Sequence, residues 1–130
     1  HILGVTPLND VTERLISQTP QLVTYSKAFD TFTSFGPVID TDIDPDRAIV
    51  RTYLNGKKVQ EGCTCDTLFR PSELVSFLSQ AMTFYPGDLI STGTPVNVLA
   101  LSDHDRVEIE IEGISLRLVN PVRDLRTAGR

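Results

Sequence analysis

The sequence predicts a mainly β domain with one packing helix. Three observations carry that reading. Residues 105–112 (DRVEIEIE) alternate strictly, with Val107, Ile109 and Ile111 on one side and Glu108, Glu110 and Glu112 on the other, the pattern of a half-buried antiparallel strand. Asn55-Gly56 stands between two strand-like segments, the strongest short hairpin signal. One convincing helical period is present, over residues 71–83.

The elements follow in chain order. Segment 2–8 is apolar and reads as a strand that Pro7 ends or confines to an edge. A short helix begun by Asp10 is expected over 10–17, and 18–46 is irregular. Segment 47–54 (RAIVRTYL) is a strand and KKVQEGC returns from the Asn55-Gly56 turn. In 71–83, Leu74, Val75, Phe77, Leu78, Ala81 and Met82 form one apolar face; Pro71 and Glu73 suit the first turn and Pro86-Gly87 closes the element. Residues 88–91 (DLIS) are expected to be a short buried strand. Residues 114–119 (ISLRLV) alternate again after Gly113 and complete a hairpin with 105–112.

Composition sets the frame. A chain of 130 residues fits one domain, and scaling predicts that about two-thirds of its extended surface is buried on folding. With 40% hydrophobic and 22% charged residues it is globular rather than disordered. Twelve Lys and Arg against seventeen Asp and Glu give a net charge of −5 and no basic run, so no nucleic-acid partner is expected. No apolar stretch nears the roughly 20 residues of a membrane span, and no signal-peptide pattern opens the chain. It starts on His1 rather than Met, which reads as an upstream part removed or a fragment. An i to i+2 disulfide is rare, so Cys63 and Cys65 are read as two free thiols in a reducing, cytoplasmic setting.

Several motifs are weighed for chemistry. DTDIDPD (40–46) spaces its carboxylates like a calcium loop, but Pro45 occupies the turn position that needs Gly and Arg51 the position that needs Glu; it reads as a solvated acidic turn. The Glu face of 105–112 reads as a wet strand face, and Asp103-His104-Asp105 as a turn. There is no nucleophile elbow, phosphate loop or dinucleotide glycine pattern. STGTP (91–95) is either a structural turn or, through Gly93, Thr92, Thr94 and free amides, a carboxylate-binding loop. Asp10 in NDVTER (9–14) either caps a helix or holds a ligand. Lys27, read alone, is a surface lysine.

Together these segments resemble the fumarylacetoacetate hydrolase family. The matching strings run in the family's order along nearly the whole chain: NDVTER (9–14), SKAFDTFTSFGP (26–37), LNGKKVQEG (54–62), LVSFLSQAMTFYPGD (74–88), STGTP (91–95) and VEIEIEGISLRLVNPV (107–122). The resemblance implies the C-terminal portion of a single catalytic domain over 1–130, with the family's mixed β-roll and its N-terminal part absent. It also implies a homodimer, Mg²⁺ (or Mn²⁺ or Ca²⁺) as cofactor, and a small 2-oxo acid such as an acylpyruvate or a 2-hydroxyhepta-2,4-diene-1,7-dioate as substrate. The family's logic is chelation: a metal holds the 2-oxo and carboxylate oxygens and stabilises an enolate as a C–C or C–H bond breaks. Asp10 then matches a metal ligand. Arg14 matches the Arg that orients the ligand shell or pairs with it. Lys27 matches the lysine that reaches toward the metal and the developing charge, and that transfers a proton where its pKa is depressed. Thr94 matches the threonine that holds the substrate carboxylate, with Gly93 allowing close approach.

This sequence departs from the pattern at several points. Leu15 and Ser17 stand where the family has an acidic residue and a Gln. Val96-Asn97-Val98-Leu99 replaces a glycine-containing run that Asn97 and Leu99 are not expected to copy freely, and Cys63 and Cys65 replace polar residues. The family's Glu-x-Glu ligands, and the His and Glu that activate water in its hydrolases, lie upstream of the Asp and are not in this stretch. Two expectations follow: a metal-dependent hydrolase, isomerase or decarboxylase, or a degenerate non-catalytic subunit with an assembly role.

Overall fold

A computed structural model describes residues 1–125. Its centre is a four-stranded antiparallel sheet in the order β4-β3-β5-β6. Two-residue strands β1 (Leu8–Asn9) and β2 (Ser34–Phe35) pair separately. Strand β3 (Ile49–Leu54) turns through Asn55 and Gly56, whose φ values of 53° and 80° are those of a tight hairpin, into β4 (Lys57–Cys63). On its other edge β3 pairs with β5 (Arg106–Ile111), Thr52 opposite Ile109, and β5 pairs with β6 (Leu118–Pro121).

The period of two sorts the sheet's faces. Val107, Ile109 and Leu118 are buried with Val50, Leu54 and Val122 packed on them; Ala48, Ile111 and Ile114 form an adjoining cluster with Val5, Val38 and Ile43. The opposite face is not simply wet. Arg51 reaches Glu61 (2.6 Å), Glu110 (3.0 Å) and Glu112 (2.6 Å), and Arg117 pairs with Glu108 and Glu110 while lying 4.1 Å over the Tyr53 ring. Glu108, also paired with Arg106, is only 7% exposed under this cover of arginines.

Four elements differ from expectation. After Ile111 the chain does not return at once: Gly113 has φ 96°, Ile114 tucks into the core, and β6 starts only at Leu118. Burial of Ile114 takes 114–117 out of the ladder. Helix α2 spans Pro71–Leu78 and ends at Ser79, short of residue 83. Phe77 is 70% exposed and Met82 52%, so its predicted packing face is largely uncovered within residues 1–125. Residues 88–91 pair with no strand among the described residues, and Leu89 is exposed. Segment 2–8 is extended but joins no ladder before β1: it is held by the Val5–Asp40 bridge and by the Pro7 carbonyl, which accepts from the Gly36 amide at 3.0 Å.

The acidic loop has a structural use. Asp40 Oδ1 accepts the amides of Asp42 and Ile43, and Asp46 accepts the amide and hydroxyl of Ser72, capping α2 from outside it. Asp103 and His104 form the expected turn, with Asp105 accepting from Ser102 and Asn55.

The cysteines correct the sequence reading, for Cys63 and Cys65 are joined in a disulfide. An extended strand would hold their Cα atoms about 6.6 Å apart. The chain instead leaves β4 into a 3-10 turn at Thr64–Asp66, which shortens the separation to 5.1 Å. Ala48 fixes that turn: its carbonyl accepts from the Thr64 amide and its amide donates to Thr64 Oγ1, both at 2.9 Å. The pair therefore gives no sign of a reducing compartment. Among the described residues no helix is long and apolar enough to cross a membrane.

Candidate active site

The site is assembled on the NDVTER segment, which leaves β1 at Asn9. Asn9 Nδ2 and Ser34 Oγ both donate to Asn120 Oδ1, at 3.0 and 2.9 Å, so β1, β2 and β6 are tied behind the segment. Beyond Asn9 the chain does not enter a helix. Helix α1 covers only Arg14–Ser17 and its cap is Glu13, whose carboxylate accepts the Leu15 amide at 3.1 Å. Asp10 is therefore no helix cap, and its carboxylate is left to partners elsewhere.

Its partner is Lys27. The Glu13 amide donates to the carbonyl of Ser26 at 2.9 Å, and Ser26 is wholly buried with its hydroxyl on the Val23 carbonyl. This holds the 3-10 turn Tyr25–Lys27 against the start of α1 and aims Lys27 back along the segment. Lys27 Nζ makes an ion pair with Asp10 Oδ2 and donates to Thr12 Oγ1 at 3.1 Å. Both charged side chains are about one-third exposed, so the pair faces the solvent side of the cleft. An ammonium has three protons, and two are directed at Asp10 and Thr12; the third remains for a ligand.

Asp10, Thr12, Arg14, Ser17 and Lys27 line one wide cleft of about 2660 Å³, with Thr92, Gly93 and Thr94 also on its wall. Arg14 is exposed and has no ion pair among the described residues. Gly93 has φ 110° with open space around its Cα, so backbone conformation, not a crowding neighbour, calls for glycine there. Asn97 takes φ 69°, contrary to expectation; Asn tolerates the left-handed region better than most residues and copies what a glycine would do. The loop is held from behind by β4. Gln60 Nε2 donates to the carbonyls of Pro95 (3.0 Å) and Val96 (3.1 Å), and a Cβ on Gly62 would lie 3.1 Å from that of Pro95.

Sequence reasoning missed Thr12, Asn120 and Gln60. Thr12 sits inside the motif that carries Asp10, so proximity was a usable signal. Asn120 and Gln60 act across 111 and 35 residues of chain, and no local pattern marks them.

A family model, the fumarylacetoacetate hydrolase C-terminal domain, matches residues 1–123. The chain belongs to the fumarylacetoacetate hydrolase family. An uncharacterized protein of Methanocaldococcus jannaschii is 47% identical over 95% of this chain and 52% of its own length. The 4-hydroxyphenylacetate degradation bifunctional isomerase/decarboxylase of Salmonella dublin is 41% identical over 74% of this chain and 23% of its own. The crystal structure of 2-hydroxyhepta-2,4-diene-1,7-dioate isomerase from Mycobacterium marinum superposes with a TM-score of 0.89 at 42% identity, over 95% of this chain and 48% of that one. The mainly β fold is thus the family's fold. The chain spans about half the length, or less, of these relatives.

The donor set fits the family's divalent ion only in part. Asp10 offers a hard carboxylate oxygen at the cleft, the kind of ligand Mg²⁺ takes. Among the described residues, however, the one grouping of three donor-type side chains is Cys63, Cys65 and Asp66, away from this wall of the cleft and with both sulfurs tied up in the disulfide. Asp10 therefore fits as one ligand of a shell that these residues do not complete.

Proposed function

We propose that this chain carries part of the active site of a metal-dependent enzyme acting on a small 2-oxo acid, of the acylpyruvate or 2-hydroxyhepta-2,4-diene-1,7-dioate type, by hydrolysis, isomerisation or decarboxylation. The observation that carries the reading is the Lys27–Asp10 pair in a cleft that also exposes Arg14 and Thr94. Asp10 is one ligand to Mg²⁺, or to Mn²⁺ or Ca²⁺. When bound, that ion supplies Lewis acidity toward the 2-oxo and carboxylate oxygens.

The chain's own residues do the rest. Lys27 places a positive charge, held in position by Thr12, beside the oxygen on which negative charge accumulates; such preorganised stabilisation supplies much of the rate enhancement of many enzymes. Its remaining N–H is the donor to that oxygen. Arg14 offers a guanidinium for the second carboxylate of a dicarboxylic substrate. Thr94 donates its hydroxyl to the first, on a loop whose backbone Gly93 bends and Gln60 supports.

The test is turnover of acylpyruvate, oxaloacetate and hydroxyheptadienedioate substrates by the full-length protein with Mg²⁺ or Mn²⁺. Metal-dependent turnover of at least one is expected; none on any of them refutes the reading. The second reading, a non-catalytic assembly subunit, is favoured by the lack, among the described residues, of an acidic cluster around Asp10 and by Leu15, 78% exposed where the family carries an acid. Co-purification with a chain that supplies the acidic ligands distinguishes it.

A further inference from the structure

We infer that Cys63 and Cys65 are a reversible dithiol–disulfide site and that its state is transmitted to the Thr94–Val96 loop. Three observations lead there. First, a cross-link that closes a loop of three residues restricts the unfolded chain very little, because the entropic effect grows with loop length; the bond makes a poor structural staple. Second, the two sulfurs are unequal. Cys65 is exposed, whereas Cys63 is half-buried at the end of β4 and its Sγ accepts the Cys65 amide at 3.1 Å. Third, the surroundings carry both signs of charge: Asp46, Arg47 and Arg70 line a small hollow with Cys65, and Asp66 adjoins it. Arg47 and Arg70 favour the approach and formation of thiolates there, against the two acids.

The chemistry is thiol–disulfide exchange with a small thiol or a protein dithiol. An external thiolate attacks the exposed Sγ of Cys65, a mixed disulfide forms, and Cys63 leaves as a thiolate that the Cys65 amide stabilises. A second external thiolate attacks the external sulfur of the mixed disulfide. The external disulfide departs, and both cysteines take up protons as thiols. Two electrons pass from two external thiols to the protein disulfide, and the reverse sequence re-forms it.

The consequence follows from β4. Gln60 and Gly62, three residues and one residue before Cys63, are the contacts that hold Pro95 and Val96. The disulfide closes the end of that strand at the Ala48-anchored turn. Opening it loosens the support behind Thr94. The regulatory half of the inference rests on the proposed function; the exchange chemistry does not.

The experiment uses the full-length protein in graded glutathione buffers without denaturant, trapped with iodoacetamide and weighed by mass spectrometry. The expected result is a graded passage from no labelled cysteine of this pair to two. Labelling that needs denaturant, or two labels in fully oxidised buffer, overturns the site. The Cys63→Ser protein is expected to carry one glutathione on Cys65 and the Cys65→Ser protein to take up much less; the reverse overturns the order of attack. Hydrogen exchange reads the coupling: on reduction, peptides covering 92–97 exchange at least several-fold faster while those covering 107–111 do not change. Equal exchange at 92–97 in both states overturns the transmission, whatever the substrate proves to be.

Discussion

Asp10 shows how much a single side chain's partner matters. At a strand end before a helix, an aspartate ordinarily caps. Here Glu13 takes the cap, and Asp10 pairs instead with a lysine 17 residues on. Asp10→Asn removes the charge that a hard cation needs and keeps a similar shape. Its metal affinity, measured by calorimetry on the full-length protein, is expected to fall by about tenfold or more. Lys27→Met keeps much of the stem and removes the ammonium. On the proposed role it is expected to lower kcat by roughly 10²–10³ in steady-state assays, with little change in unfolding midpoint because the partly exposed ion pair with Asp10 contributes little to stability.

Arg51 is the corresponding residue on the other face. Its hydrogen bonds to Glu61, Glu112 and Glu110 hold its own proton more tightly than usual. Partial burial pushes Glu110 up, but hydrogen bonds from Arg51 and Arg117 outweigh it and keep it below the ordinary value of 4.5; Lys58 and then Arg51 lower Glu61 likewise. Carboxylates with depressed folded-state values contribute stability that is fully present above their unfolded value and is lost as pH falls below it. The urea midpoint is thus expected to begin to drop as pH falls toward the ordinary value of 4.5 and to go on dropping below it, partly through these groups. In Arg51→Met that drop is smaller. An unchanged drop in the variant would show that these bonds do not form.

Among elements, β4 links the sheet to the candidate site. Its hydrogen-bonding edge faces no further strand among the described residues, and Gln60 and Gly62 face the Pro95 loop instead. Gly62→Ala places a methyl 3.1 Å from the Pro95 Cβ and 3.2 Å from its Cγ, tighter than ordinary packing. The loop yields before the sheet does, because the ladder on either side of Gly62 is intact. The expected outcome is a several-fold rise in KM with kcat less affected, read from substrate titrations. A KM equal to that of the parent protein would show that the loop's position does not matter for binding.

At the scale of the whole molecule, the described fold is open. Its accessible surface is 9424 Å², against about 6,800 Å² for a compact monomer of this mass. The prediction that two-thirds of the extended surface is buried is not met; the share is nearer to about 55%. Part of the missing burial lies around the cleft, where Val23, Phe29, Phe35, Ile39, Leu99 and Leu101 are exposed, and part on the uncovered face of α2. The cleft's 2660 Å³ also exceeds the roughly 300–1,000 Å³ of a small-molecule pocket. An apolar rim of this extent favours association. Light scattering after size exclusion is expected to give the 130-residue chain a mass well above 14.4 kDa and the full-length protein the mass of a homodimer. A sharp monomer peak for the 130-residue chain would contradict this.

The sequence by itself determined what depends on neighbours along the chain. The alternation of 105–112 sorted Val107, Ile109 and Ile111 from their glutamates, Asn55-Gly56 set the β3–β4 hairpin, and Pro71 with Glu73 started α2. The ordered strings around Asp10, Lys27 and Thr94 also pointed to the family. Only the tertiary structure decided which partners distant residues meet. It set Lys27 on Asp10, laid arginines over Glu108, drew Ile114 out of its hairpin and closed Cys63 on Cys65. Each outcome turns on packing or a hydrogen bond between separated segments, or on a turn such packing anchors. Such contacts leave no period in the residues that make them.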